Sequence, residues 1–414
     1  MNLILNVNKN FDELIDRSRK DVWRYANLLE GQKNKPFIAA LQLDFTTIEK
    51  VGDWQIKRED QSATGSHKFR ALTFQLNNLL EQKISRAVLS SSGNAAITAS
   101  MVLPKESPLK LFVFLSKKTD LGKLAALKIS KNFVPILSDR PLRMAKYTVK
   151  RFGLRDLRPS QDPLAAVGFR SLGFEIFEQD SNIKNIFSFA TSFASIRGVQ
   201  QAFESLVKLG ALKTAPEIFA VTSGGQLTGD ISPAVRHPDR LSIDKISESV
   251  DKSTRVDNIR QVDITDEEVL AAQKKFTDLD TSAEGFASLA AAEKIQPEGE
   301  SLVILTGRNW PEKTVHLERF EKADNFAEVD KIIARHGTGL VGNLNPFGML
   351  HALCSMLHES TAQKNLSRFA RSTQNRGPGI SVAKFQDLCF QDESRLEKSG
   401  KGGSGNCESE ITKS

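Results

Sequence analysis

The chain has 414 residues, which is more than one small domain needs and favours two or three domains or one large α/β unit. Hydrophobic residues make up 40% of it and charged residues 26%, a composition that excludes collagen-like and largely disordered proteins. The net charge is +7, but the basic residues are scattered, so we expect no nucleic-acid partner. No run of about 18 apolar residues occurs, so we expect no membrane span.

The cysteines and histidines do not form a recognisable metal or disulfide pattern. Three cysteines lie far apart in the last third of the chain without CxxC spacing, and the six histidines include no HExxH pair. We therefore expect no disulfide framework and no metal site. The first twenty residues lack a basic segment followed by an apolar run, so no signal peptide is expected, and the predicted location is the cytoplasm.

Short apolar runs alternate with helical patterns along the chain. A helix-like stretch at 11–29 and an apolar run at 37–45 come first. Strands are then predicted at 86–89, 109–115, 133–137, 186–190, 217–222 and 302–306. Helices are predicted at 70–82, 95–102, 121–130, 144–151, 197–209 and 266–276. This alternation is typical of βαβ units and predicts an α/β fold with a mostly parallel sheet flanked by helices.

Three turns between a strand and a helix are rich in small and hydroxyl residues, and such turns carry function in doubly wound sheets. The first contains Ser66, His67 and Lys68 at the start of a helix. The positive end of the helix dipole disfavours a cation there, which lowers the pKa of the lysine and favours the free amine that imine formation needs. The alternative is a surface lysine that follows a capping serine.

The other two turns suggest anion sites. Ser91, Ser92, Gly93 and Asn94 end a strand and open a helix, where backbone N–H groups and hydroxyls suit a carboxylate; an ordinary helix cap is the alternative. The third turn suits a phosphate but lacks the glycines of a P-loop, and it consists of Thr191, Ser192, Phe193, Ala194 and Ser195.

Taken in order, these turns resemble the pyridoxal-phosphate enzymes of the tryptophan synthase β fold (fold type II), and most of all the threonine synthases. The motifs that carry the resemblance are Ile56 to Asp60, Thr64 to Lys68 and Ser91 to Asn94. Further segments fit the same family in register, and these are 22–25, 157–160, 264–268 and 305–307.

The resemblance implies a role for each site residue. Lys68 would hold pyridoxal 5'-phosphate as an imine and later move protons, and Asn94 would donate a hydrogen bond to the phenolic oxygen of the cofactor. Thr306 would face the pyridine nitrogen, and the segment from Thr191 to Ser195 would bind the phosphate. The implied substrate-binding residues are His67, Ser91, Ser92 and Gly93.

The resemblance also implies an architecture and a reaction. It implies two doubly wound, mostly parallel sheets flanked by helices within a catalytic unit at 1–375. A large domain would contain about 1–87 and 176–375, and a small mobile domain at about 88–175 would close over an amino-acid substrate. The low-complexity tail at 376–414 is predicted to be disordered. The expected enzyme is a homodimeric lyase that converts O-phospho-L-homoserine and water into L-threonine and phosphate.

The sequence departs from the threonine synthase pattern at several positions. His67 and Phe69 flank the lysine where phenylalanine and aspartate are usual, and Phe193 stands where a small residue is expected. Ala95 and Ala165 replace a threonine and an arginine that would bind the substrate phosphate. The basic residues that could compensate are Lys123, Arg155 and Arg170. Two alternatives therefore stay open: a β-eliminating or β-replacing enzyme for serine, threonine or a sulfur amino acid, and an inactive binding protein.

Overall fold

The computed structural model describes residues 10–29, 45–91, 93–222 and 258–337. Their strands are β1 Ile48–Val51, β2 Trp54–Lys57, β3 Arg86–Ser91, β4 Lys110–Ser116, β5 Phe133–Ser138, β6 Arg155–Asp156, β7 Asn185–Phe189, β8 Glu217–Thr222, β9 Ile259–Asp263, β10 Ser301–Ile304 and β11 Glu321–Lys322. Their helices are α1 Phe11–Leu14, α2 Lys68–Glu81, α3 Asn94–Val102, α4 Leu121–Ala125, α5 Pro141–Phe152, α6 Leu164–Gln179, α7 Ala194–Lys208, α8 Asp266–Lys275, α9 Ala283–Ile295 and α10 Phe326–Gly337. Short 3-10 segments lie at Val22–Leu28, Glu59–Gln61 and Leu317–Arg319.

In the described part of the chain the strands form two sheets. The first has the order β1-β2-β10-β7-β8-β9, and every pair in it is parallel except β1 with β2. The second has the order β11-β5-β4-β3-β6 and is parallel throughout. The predicted α/β fold with mostly parallel sheets is confirmed.

Helices cover both faces of the first sheet, because successive side chains of a strand point to opposite faces. Ile186 of β7 and Ile218 of β8 lie in the core shared with α6 and α7. Their neighbours Phe187 and Phe219 stack with ring centroids 4.4 Å apart in the core shared with α8 and α9. This burial on both faces explains why β7 and β8 are continuous apolar runs in the sequence.

The second sheet draws most of its strands from the region predicted as the small domain. Strands β3 to β6 lie between residues 86 and 156. Strand β11 also joins this sheet beside β5, although the sequence-based division placed residues 176–375 in the large domain. Helix α10 packs on the same sheet through Val329 and Ile333. The boundaries and the mobility of the two domains stay predictions.

The prediction of one helix-like stretch at 11–29 is wrong, because the chain there folds into α1 and a separate 3-10 segment. Asp16 accepts hydrogen bonds from the backbone N–H and the hydroxyl of Ser18, at 3.0 and 2.6 Å. Asp21 accepts from the backbone N–H of Trp23 at 3.0 Å. These local side-chain bonds compete with helical hydrogen bonds and interrupt the helix.

Three predicted features lie outside the described residues. They are Ser92, most of the apolar run at 37–45, and the tail at 376–414. Within the residues that the structure does describe, no helix is both long and apolar enough to cross a membrane.

Candidate active site

Lys68 is the first residue of α2, at the end of the first sheet where β2 and β10 finish. The turn before it is hydrogen-bonded to Thr306, two residues after the end of β10. The backbone N–H of His67 and the hydroxyl of Ser66 both donate to the carbonyl oxygen of Thr306, each at 3.0 Å. The prediction that Lys68 opens a helix is confirmed, and the fold holds it beside Thr306.

The pKa of the Lys68 amine is lower than that of an ordinary lysine. Burial lowers its pKa to about 8, and the Glu284 carboxylate acts in the opposite direction. The Nζ atom lies 5.6 Å from the centre of the Phe169 ring. With a pKa of about 8, roughly a tenth of the amines are uncharged at pH 7, far more than for an ordinary lysine, and the uncharged form attacks carbonyl groups.

His67 is buried and has one ring nitrogen without a partner. Its Nδ1 donates to the Thr306 carbonyl at 2.7 Å, while Nε2 has no hydrogen-bond partner among the described residues. Burial and the nearby Lys68 charge lower the pKa of His67, so the ring is neutral at pH 7. An anionic group beside Nε2 would raise this pKa and give the ring a second proton to donate.

The predicted phosphate turn lies between β7 and α7, as expected. Phe193 is the N-cap of α7 with a left-handed φ of 57°, and no side chain caps the helix. Its bulky side chain is buried in the core, which holds an otherwise unfavourable backbone conformation in place. Ser195 lines a small cavity together with His67 and Ser188. Ser195, in the first turn of α7, and His67 therefore contact the same, mostly apolar cavity.

The second predicted turn joins β3 to α3. The hydroxyl oxygen of Ser91 accepts from the backbone N–H groups of Gly93 and Ala96, at 3.0 and 3.1 Å, and so caps the helix. Gly93 has a φ of 136°, and a Cβ there would lie 2.6 Å from Cδ of Lys123. Glycine is thus required both by the backbone and by the close approach of the lysine.

Asn94 contacts the segment that follows β10. A Cβ on Gly307 would lie 2.7 Å from Nδ2 of Asn94, so the amide packs directly against Gly307. Thr306 is buried next to it. The structure therefore brings the turn before Lys68 next to Thr306 and packs Asn94, from α3, against the neighbouring Gly307.

Three residues that the sequence did not single out for a role also belong to this region. The buried hydroxyl of Ser282 has no hydrogen-bond partner among the described residues, and its backbone N–H donates to the Gly307 carbonyl at 2.8 Å. Glu284 acts on the Lys68 amine. Trp310 donates its indole N–H to Oδ1 of Asn94 at 3.2 Å. A tryptophan only four residues after Thr306 was a signal that could have been noticed.

The functional groups present fit pyridoxal phosphate. Lys68 would supply an amine for the aldehyde, and the uncapped start of α7 with Ser195 would supply donors for the phosphate. The amide of Asn94 would donate to the phenolic oxygen, and Thr306 and Ser282 would offer hydroxyls. Within the described ranges, no group of three or more His, Cys, Asp or Glu residues could hold a metal ion.

Comparison with known proteins agrees with this fit. The family described as pyridoxal-phosphate dependent enzyme matches residues 30–307. The chain is 24% identical over 326 residues to a threonine synthase of Methanosarcina acetivorans, covering 69% of this chain and 78% of that protein. It is 23% identical over 267 residues to the threonine synthase of Mycobacterium tuberculosis, covering 61% of this chain and 71% of that protein.

A solved structure shows the same fold. The processed form of threonine deaminase isoform 2 from Solanum lycopersicum superposes with a TM-score of 0.51 at 17% identity, covering 72% of this chain and 84% of that chain. The family match confirms the predicted cofactor, and this structure agrees with the predicted fold. The chain belongs to the pyridoxal-phosphate-dependent enzymes of fold type II.

Proposed function

We propose that the chain is a threonine synthase-like lyase. It converts O-phospho-L-homoserine and water into L-threonine and phosphate, by elimination of phosphate from the γ carbon and addition of water at the β carbon. The threonine synthases that it resembles over more than three fifths of its length support this proposal. The observation that carries it is the position of Lys123, a cation against the turn assigned to the substrate carboxylate.

Each residue of the proposed site has a separate role. Bound pyridoxal phosphate withdraws electrons from the substrate carbon that carries the amino group. Lys68, whose pKa lies near 8, exchanges protons with the substrate at pH values close to neutral. The turn at Ser91 and Gly93 binds the substrate carboxylate, with the Ser91 hydroxyl proton available as a donor.

The leaving phosphate needs a cation, and Lys123 is the best placed of the three basic residues considered from sequence. Arg170 is buried and donates to the Ser205 hydroxyl at 3.1 Å, between α6 and α7. Arg155 is exposed on β6. Lys123 lies against Gly93, and its ammonium forms no ion pair with any described residue. It can therefore take the place of the phosphate-binding side chains that are missing at Ala95 and Ala165.

This assignment predicts a substrate-dependent effect of Lys123→Met. We expect wild-type protein to release phosphate and threonine from O-phospho-L-homoserine, and the variant to show a KM raised about 10- to 100-fold, since a hydrogen bond to a charged group is worth roughly 1.5–3 kcal/mol. Steady-state phosphate release measures the effect. Lys118→Met, which removes an exposed lysine nearby, is the matched control and should leave KM unchanged.

Other results would favour the alternatives. Turnover of L-serine, L-threonine or a sulfur amino acid without phosphate release from O-phospho-L-homoserine would favour a β-eliminating or β-replacing enzyme, as the uncharged Ala95 and Ala165 would suit. A bound cofactor whose spectrum no amino acid changes would favour an inactive binding protein. The homodimer, the cytoplasmic location and the closing small domain stay predictions.

A further inference from the structure

The indole of Trp310 fixes which way the Asn94 amide faces. An asparagine amide has an accepting oxygen on one side and a donating NH₂ on the other, whereas the indole nitrogen can only donate. Because Trp310 Nε1 donates to Asn94 Oδ1 at 3.2 Å, the oxygen must face the indole. The NH₂ group then faces Gly307, and no described residue accepts a hydrogen bond from it.

Contacts with Arg308 and Gly65 hold the indole itself in place. The Arg308 guanidinium lies 5.3 Å from the centre of its ring and donates to the carbonyls of Asp60 and Ser62, each at 3.2 Å. Gly65 lies beneath, since a Cβ there would approach Trp310 to 2.7 Å. The backbone of the same residue is fixed as well, because a Cβ on Gly122 of α4 would lie 2.4 Å from the Trp310 carbonyl oxygen. A side chain packed in this way can orient its partner.

We propose that Trp310 is a positioning residue that directs the Asn94 NH₂ group at the phenolic oxygen of the cofactor. The inference rests on the role proposed for Asn94. A donor held on that oxygen stabilises its negative charge, so the oxygen retains a proton less strongly. Without Trp310 the amide can rotate and present its oxygen instead, which removes a donor and places two acceptors together.

The test is a pH titration of the visible absorption of the cofactor-loaded full chain. In Trp310→Phe we expect the midpoint of the titration to rise by about one pH unit and the cofactor to bind about 10-fold more weakly, the size of one lost hydrogen bond. Trp54→Phe is the matched control, because it also removes an indole N–H bond, to Glu293 at 2.6 Å, on the first sheet. Both readouts should stay at wild-type values in the control.

A double-mutant cycle separates positioning from a general loss of structure. If Trp310 acts through Asn94, then Trp310→Phe should cause no further shift in a chain that already carries Asn94→Ala. A full additional shift in that background would overturn the inference, as would a Trp310→Phe chain that titrates and binds like wild type. A wild-type chain without any cofactor band would overturn the proposed role of Lys68 as well. The wild-type spectrum therefore distinguishes failure of the proposed function from failure of the inference about Trp310.

Discussion

The pKa of the Lys68 amine is the balance of two opposing effects. Burial lowers its pKa to about 8, and the negative charge of Glu284 limits that decrease. The sequence indicated the direction of the shift, from the helix dipole at the start of α2. The larger cause is burial, which depends on side chains distant in sequence, so local reasoning could not identify it. Local reasoning could not identify Glu284 either, because it is 216 positions from Lys68 and its charge acts on the amine only in the folded chain.

Glu284→Gln should therefore move the Lys68 pKa further down. Removing the carboxylate charge removes the effect that favours the protonated amine, so the free amine appears at lower pH than about 8. The measurement is the pH dependence of amine labelling at Lys68 in cofactor-free protein. Glu267→Gln, at an exposed position on α8, is the control and should not move the midpoint. An unchanged or higher midpoint in Glu284→Gln would show that the carboxylate does not act on Lys68.

At the scale of elements, a buried charge cluster fastens α2 to α6 and β2. Arg70 donates to Glu59 at 2.7 and 2.8 Å and to Glu175 at 2.9 Å. Lys57 donates to the other oxygen of Glu175 at 2.6 Å. All four side chains are at most 2% exposed. Because Arg70 lies two residues after Lys68, the cluster fixes the start of the helix that begins at Lys68.

Arg70→Met should strongly destabilise the protein. It leaves two buried carboxylates with a single cation, a type of change that costs about 3–5 kcal/mol. Urea unfolding gives the free energy directly. The control is Lys131→Met, which breaks an exposed pair with Glu106 and should cost less than about 1 kcal/mol. Equal losses in the two variants would mean that the buried cluster does not stabilise this helix.

Strands that are buried along most of their length could be predicted from the sequence. The predicted strand 217–222 matches β8, the one at 109–115 is displaced from β4 by one residue at each end, and the one at 133–137 ends one residue before β5. Helix α6 was missed because Gly168 and Gly173 lower its local helix propensity. Its tertiary packing explains the first glycine: a Cβ at Gly168 would lie 2.6 Å from the Arg70 carbonyl oxygen, so the close approach of α6 to α2 needs it.

At the scale of the whole molecule, the candidate site draws on both sheets. Lys68 and Thr306 follow strands of the first sheet, while Ser91 ends β3 of the second sheet and Asn94 follows it. The segment from Gly307 to Trp310 connects the two groups through its contacts with Asn94. The strand order that produces this, with β10 inserted between β2 and β7, cannot be read from hydrophobic periodicity. Only the family resemblance indicated that these turns converge.

The most direct measurement is reduction of the cofactor-loaded protein with borohydride, followed by peptide mass mapping. Reduction makes the bond between cofactor and lysine permanent, so the modified peptide identifies the attachment site. We predict one modification, on Lys68, and none on that peptide in Lys68→Arg. A chain that carries no modification, or carries it on another lysine such as the buried Lys57, would contradict the account.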